Sequence, residues 1–425
     1  MIAIEQLHEK FLASTGACTD SRKLFAGCMF FALKGDSFNG NAYAAAAIEQ
    51  GATFAVVDEE VNAPAEKIIR VENVLKSLQE LATFHRKYLG LPILAITGTN
   101  GKTTTKELIT AALSQKYKTV ATQGNLNNHI GVPLTLLGMS KSTQLGVVEM
   151  GANHPHEIAA LCAIAQPNAG LITNVGKAHL EGFGSFEGVK KTKAELYDYL
   201  VKNGGQIFAL SDSSDLQEML HERGVQNTIF YGSASVENEA ENSPFLALRI
   251  NSELWQTKLV GGYNAPNVLA AAAVARYFGV EENKIRKAIE NYAPQNNRSQ
   301  LIKTAYNTII MDAYNANPTS MAAAVSNFAK VQAEQKLLIL GDMLELGKDA
   351  QTEHQKLVEL LQQLSLKNAC LVGKIFCEAA KKSVYLTFED SNALCEYLKK
   401  EPHKNYTILV KGSRGIQLEK VKEFL

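Results

Sequence analysis

Leu91-Pro-Ile-Leu-Ala-Ile-Thr-Gly-Thr-Asn-Gly-Lys-Thr-Thr-Thr105 decides how this chain is read. Its first seven residues form an apolar run, short enough for a buried strand. Gly98, Thr99, Asn100, Gly101, Lys102, Thr103 and Thr104 follow as a small-residue loop. Beyond them Leu108, Ile109, Ala112 and Leu113 recur at helical spacing. Strand, glycine-lysine loop and helix in that order bind a nucleotide phosphate. Backbone N–H groups converge on the oxygens, the helix N-terminus adds partial positive charge, and the lysine neutralises the outer phosphates. A hydroxyl directly after the lysine, here Thr103, suits Mg²⁺. The common phosphate-loop pattern has a glycine six positions before the lysine, where Ile96 stands. The loop is therefore a short variant, and an ordinary glycine turn is the competing reading.

Outward from this stretch, 425 residues suggest about three domains. Lys+Arg and Asp+Glu balance at 43 each, so no global field recommends nucleic acid or an anionic membrane as partner. No run is apolar enough to span a bilayer and no leader is evident. The six cysteines show no paired metal spacing and suit reduced thiols, so a soluble cytoplasmic protein is expected.

The fold class expected is α/β in three domains. Residues 1–80 read as a small α/β unit, with strands in Gly27–Leu33 and Gly51–Asp58 and a short helix in Ala42–Gln50. Residues 81–293 alternate strands and helices as a mostly parallel sheet does. Strands are expected at Thr119–Thr122, Leu145–Glu149, Gly170–Asn174 and Gln206–Leu210, and an antiparallel pair at Phe245–Ile250 and Leu254–Val260. A helix is expected over Ala265–Phe278. Residues 294–425 restart the alternation as a Rossmann-like domain, with strands at Thr308–Asp312, Lys336–Gly341, Ala369–Gly373 and Tyr406–Val410. Tyr292–Arg298 reads as the hinge.

Ligands of open α/β sheets bind at the C-terminal strand ends. Glu149 and Asn174 end two such strands, and His179 follows the second. Thr103, Glu149 and His179 offer hydroxyl, carboxylate and imidazole to one or two divalent ions held against phosphate. Each alone also reads as a cap, a surface carboxylate or a core histidine. Thr122-Gln-Gly-Asn-Leu-Asn-Asn128 is rich in amides, which fix polar ligands without adding charge; a plain turn reads equally well. The loops around Ser21, Arg22, Lys34 and Gly35 could hold a diphosphate or uracil, but from composition alone plain connections are the better reading.

Taken together, Gly98–Thr104, Glu149-Met-Gly, His179-Leu-Glu-Gly-Phe-Gly, Tyr263-Asn-Ala-Pro-Asn267 and Lys411-Gly-Ser-Arg414 resemble the ATP-dependent Mur ligases of bacterial cell-wall synthesis. The resemblance runs the length of the chain with the motifs in order. Asp312-Ala-Tyr-Asn-Ala-Asn-Pro318 and Leu340-Gly-Asp-Met-Leu-Glu-Leu-Gly347 are the most specific segments. They point to the branch of the family that adds D-alanyl-D-alanine to a UDP-N-acetylmuramoyl-tripeptide.

The resemblance implies a UDP-sugar-peptide domain (1–80), a central ATP-binding domain (81–293) and a C-terminal domain closing on ATP and dipeptide (294–425). Lys102 and the loop would hold ATP, and Thr103, Glu149 and His179 would serve Mg²⁺. Asn264, Asn267, Arg298 and Asp312 would contact the nucleotide. Substrate contacts would come from Ser21, Arg22, Lys34, Gly35, Thr122, Asn125, Asn127, Asn128, Tyr314, Asn315, Asn317, Lys411, Ser413 and Arg414. In the Lys193-Ala-Glu195 segment, the family's lysine is carbamylated and helps hold a second magnesium ion. Lys102, Glu149, His179 and Lys193 are then the expected catalytic set, in a monomer with no nucleic-acid partner.

Rivals are a folylpolyglutamate synthase-like ligase, a ligase adding the third residue of the same precursor, and a catalytically silent nucleotide-binding scaffold. Tyr314-Asn-Ala-Asn-Pro318 argues against the first. The absence of Asp-Asn-Pro-Arg argues against the second, and intact Lys102, Glu149, His179 and Arg298 against the third.

Overall fold

A computed structural model describes residues 2–425 except 233–234, 238–243 and 296. It contains three α/β units in chain order, as expected. The first holds four parallel strands, ordered Ala17–Cys18, Met29–Phe31, Phe54–Val57 and Ile68–Arg70. A hairpin of Lys34–Gly35 with Phe38–Asn39 projects from it.

Helix Val74–Leu89 joins this unit to the next; Asn73 caps its start and left-handed Gly90 ends it. It receives the first helix, Ile4–Leu12, through Leu7 and Phe11 against Leu78 and Leu81. Two histidines lie in that interface, His8 Nε2 being 2.9 Å from His85 Nδ1. His85 Nε2 lies 3.0 Å from the Met139 carbonyl, which can only accept. The proton of His85 is therefore on Nε2, and His8 donates to His85 Nδ1.

The central sheet has six strands, all parallel. Their order is Thr228–Tyr231, Gln206–Leu210, Ala169–Ile172, Ile93–Thr97, Leu145–Glu149 and Thr119–Ala121. Ile93–Thr97 is wholly buried and sits between the strands leading to Asn174 and ending at Glu149. Both polar ends thus flank the phosphate loop. Helix Lys102–Leu113 shares a core with Ala265–Tyr277, whose alanines leave little bulk between the two helices. Phe245–Ile250 and Glu253–Val260 pair antiparallel, as expected, around Asn251 and Ser252, both at positive φ.

The last unit has the order Gln300–Lys303, Thr308–Asp312, Tyr406–Lys411, Gln335–Gly341, Ala369–Val372 and Leu386–Phe388. Only the first of these strands is antiparallel to its neighbour. Asp312, Lys411 and Gly341 therefore end adjacent strands on one edge. In the expected hinge Tyr292–Arg298, Asn296 lies outside the described residues. All six cysteines are free and only Cys377 is not fully buried. Burial pushes the Cys162 and Cys370 thiols up to about 12.

Candidate active site

The loop after Ile93–Thr97 is held by its neighbours. Gly98 has φ 141°, and a Cβ there would lie 2.0 Å from Thr173 Oγ1; at Gly101, φ 78°, it would lie 2.6 Å from Asn267 Oδ1. Neither position admits a side chain. Asn174 Oδ1 accepts from Asn100 N–H at 2.9 Å while its Nδ2 donates to the Asn100 carbonyl at 3.0 Å. Lys102 Nζ donates to the carbonyls of Gly98 and Thr99 at 2.8 and 3.1 Å. Burial lowers its pKa, opposed by Glu149 and assisted by Arg298.

Glu149 is 1% exposed, with each carboxylate oxygen held. Thr103 Oγ1 donates to Oε2 at 2.9 Å and Asn127 Nδ2 to Oε1 at 2.8 Å. Its backbone N–H donates to Thr122 Oγ1 at 3.0 Å. Thr122 is thus occupied behind the carboxylate, where the sequence suggested a substrate contact. The buried Lys106, missed from sequence, places Nζ 3.9 Å from Glu149 Oε2.

His179 adopts φ 50° just beyond the strand leading to Asn174, and its Nδ1 lies 2.6 Å from Glu345 Oε2 of the last domain. Burial lowers its pKa; Glu345 opposes, while Lys102 and Lys193 assist. Lys193 lies on the buried stripe with Val189, Leu196 and Leu200, and Lys191 is exposed, as the periodicity predicts. Burial, then the charge of Lys102, brings the Lys193 amine down to about 7.

From the last domain, Arg298 stacks with its guanidinium carbon 3.6 Å from the Tyr314 ring centroid, and Arg414 approaches the same ring at 5.7 Å. Lys411 Nζ lies 2.6 Å from Asp312 Oδ2, and Ser299 N–H donates to Asp312 Oδ1 at 3.0 Å. Asn315 Oδ1 accepts from Ala316 N–H within its own loop, while Ser413 Oγ accepts from Leu344 N–H and so ties its loop to the one after Gly341. Asn317 Oδ1 caps helix Pro318–Lys330, while its Nδ2 donates to Asn100 Oδ1 at 2.7 Å. Thr105, Asn267 and Asn264 form a hydrogen-bonded chain ending on the Val260 carbonyl.

Most of these groups face one cavity of about 810 Å³ between the central and last domains. The expected site residues line it, except Gly98, Thr122, Lys193 and the N-terminal set Ser21, Arg22, Lys34 and Gly35. Arg22 instead pairs with Asp20, and Lys34 bridges Asp58 and Glu59 at 2.9 and 2.8 Å. Gly35 lies in the projecting hairpin, and Ser21 opens a short turn capped by Asp20. His129, Asn153, Glu157, Ser299 and Glu345 line the cavity without having been singled out. Of these, Asn153 and Glu157 follow the Glu149 strand closely, a signal that could have found them.

Residues 14–86 match the Mur ligase family, catalytic domain; residues 96–275 match the Mur ligase middle domain; residues 297–414 match the Mur ligase, glutamate ligase domain. The chain belongs to the Mur ligase family. It is 34% identical to a UDP-N-acetylmuramoyl-tripeptide–D-alanyl-D-alanine ligase of Bacillus subtilis, over 96% of this chain and 92% of the relative. The enzyme of that name from Escherichia coli is 35% identical, over 95% and 92%. Among solved structures, MurF from Acinetobacter baumannii superposes with a TM-score of 0.85 at 29% identity, covering 98% of this chain and 97% of that one. MurF ligase from Thermotoga maritima in complex with ADP gives 0.84 at 27%, covering 97% of both. The three α/β units described above are thus the Mur ligase architecture.

Proposed function

We propose that this Mur ligase joins D-alanyl-D-alanine to UDP-N-acetylmuramoyl-tripeptide, converting ATP to ADP and phosphate and giving the UDP-muramoyl-pentapeptide of peptidoglycan synthesis. The observation that carries this reading is one cavity in which Gly101–Thr104 faces Asp312, Tyr314, Asn315 and Asn317. ATP is bound at the first group, and the dipeptide meets it at the second. Similarity to ligases of that name over more than nine-tenths of both chains supports the choice of substrates.

A carboxylate is a poor electrophile toward an amine. Its oxygen attacks the γ-phosphorus, the bond to ADP breaks, and an acyl phosphate results. The dipeptide amine then attacks the acyl carbon, loses a proton and expels phosphate. Lys102 and the loop N–H groups stabilise charge on the transferring phosphoryl oxygens, and Arg298 adds positive charge from the opposite wall. Asp312, fixed by Lys411 and the Ser299 N–H, is presented as an acceptor for a ribose hydroxyl.

The donors suit magnesium. Among the described residues no cluster of three His, Cys, Asp or Glu side chains could hold a metal alone. Mg²⁺ is ordinarily bound by one or two carboxylates with waters and phosphate oxygens. Thr103 and Glu149 would hold one ion with His179 beside it, and a carbamate on Lys193 would supply a carboxylate for a second. When bound, the ions neutralise phosphate charge. With its pKa brought down to about 7, Lys193 has a substantial neutral fraction at neutral pH, which supports reaction with CO₂.

Residues 1–80 are assigned to the UDP-sugar-peptide, 81–293 to ATP, and 294–425 to closure over ATP and dipeptide. A cytoplasmic monomer is inferred. No described helix is long and apolar enough to cross a membrane.

The test is phosphate release from ATP with UDP-muramoyl-tripeptide, with and without D-Ala-D-Ala, for wild type and Lys102→Ala. Sustained release only with all three substrates, and none in the folded variant, is expected. Release indifferent to the dipeptide, or a fully active variant, would overturn the reading.

A further inference from the structure

In Gly341-Asp-Met-Leu-Glu-Leu-Gly347, several polar groups are committed to the last domain's own structure. The Asp342 carboxylate accepts from Ile375 N–H and Phe376 N–H at 3.0 and 2.9 Å, fixing the start of helix Lys374–Ala379. Gly373 has no room for a Cβ, which would sit 2.2 Å from Asp342. Met343 N–H donates to Nε2 of the fully buried His354 at 3.0 Å, and Leu344 N–H to Ser413 Oγ at 2.9 Å. The next residue, Glu345, turns outward at φ 65°.

Its partner is in another domain. Glu345 Oε2 meets His179 Nδ1 at 2.6 Å, and His179 is itself left-handed at φ 50°. A left-handed backbone is costly for a non-glycine residue and persists only where the surroundings enforce it. Here two such residues, 166 positions apart, meet across one interface. The Glu345 side chain is about half exposed, so the pair is poorly placed to contribute much to folding stability. A carboxylate on one imidazole nitrogen does fix the ring's orientation and tautomer, leaving the other nitrogen as an acceptor.

We propose that Glu345 is a positioning residue that orients the His179 ring only when the last domain lies against the central one. Phosphate-loop chemistry is thereby tied to domain closure. A neighbouring ion pair, Lys177 Nζ to Glu353 Oε1 at 3.4 Å, joins the same two domains without touching His179. It provides the control for simple tethering. This inference rests on the ligase reading above.

The experiment compares Glu345→Ala, Glu345→Gly, Glu345→Gln and Lys177→Met with wild type in the full chain. Glycine is at ease at positive φ, so Glu345→Gly relaxes the backbone while removing the carboxylate. Expected are kcat losses of roughly ten- to hundredfold for Ala and Gly, with a smaller loss for Gln, whose amide oxygen can still accept. ADP affinity by calorimetry should stay within about twofold, and Lys177→Met should keep wild-type kcat. Nitrogen-15 histidine spectra give a readout independent of turnover. The His179 signal, assigned by its loss in His179→Asn, should show the Nδ1–H tautomer in wild type and lose that preference in Glu345→Ala. Full activity in Glu345→Gly, an unchanged tautomer in Glu345→Ala, or equal kcat losses in Glu345→Ala and Lys177→Met would overturn the proposal. If wild type fails to ligate the dipeptide, the functional reading falls, and the spectra alone decide the role of Glu345.

Discussion

Asn317 caps a helix of the last domain with its oxygen and, with its nitrogen, donates to Asn100 of the phosphate loop at 2.7 Å. One side chain thus serves both the fold of its own domain and the join to another, and substitutions can separate the two. Asn317→Asp keeps a capping oxygen but loses the donor and faces the loop with a negative charge. Its melting temperature should stay near wild type while ATP turnover falls at least tenfold. Asn317→Ala should in addition lose about 1 kcal/mol of stability with the cap. Thermal melts beside steady-state kinetics check both.

Asn127 supplies the donor on Glu149 Oε1. Asn127→Leu leaves that buried oxygen without a protein partner, a loss on the order of 1–3 kcal/mol. We expect a kcat reduced about ten- to hundredfold, and a raised magnesium requirement seen by titrating metal against ADP binding. Unchanged kinetics would show that Glu149 needs only Thr103.

Lys193 should make activity depend on dissolved CO₂. Its amine, brought down to about 7, is neutral above that pH and protonated below it, and only the neutral form reacts with CO₂. CO₂-depleted enzyme should lose activity as pH falls through 7 and regain it with added bicarbonate. Lys193→Ala should be nearly inactive, indifferent to bicarbonate and partly rescued by acetate. Carbon-13 bicarbonate should label wild type and leave the variant unlabelled.

The His8–His85 pair predicts acid weakening of the join between the first two domains. Burial holds both rings below their ordinary 6.5. Above 6.5 both are neutral, folded or unfolded, and their contribution is complete. As pH falls below 6.5 the unfolded chain takes up protons first, so stability is lost toward the lower folded values. Melting curves between pH 7.5 and 5.5 should fall more steeply for wild type than for a His8→Gln, His85→Gln double variant.

What the sequence reveals follows burial. Ile93–Thr97 and Leu145–Glu149, central and wholly buried, are visible as apolar runs. Within the three large sheets, the strands that escaped it (Ala17–Cys18, Ile68–Arg70, Thr228–Tyr231, Gln300–Lys303 and Leu386–Phe388) are all edges. Half-exposed edges are short and need no continuous apolar run.

The site divides similarly. Thr103 could be expected near Glu149 because loop and strand end are each marked by local pattern. Thr122 and Ser413 belong to marked segments, yet each spends its oxygen on a backbone N–H. That distinction depends on geometry. Glu345 meets His179 only through the packing of two domains, and no local spacing encodes such a meeting.

The buried thiols make this chain convenient to watch. Maleimides attack thiolates, and burial of Cys162 and Cys370 keeps that form scarce at neutral pH. With the partly exposed Cys377 replaced by Ser, a cysteine introduced at exposed Glu66 and another at exposed Lys381 would react ahead of the buried native thiols. Fluorophores could then report the distance between first and last domains while the native core stays intact.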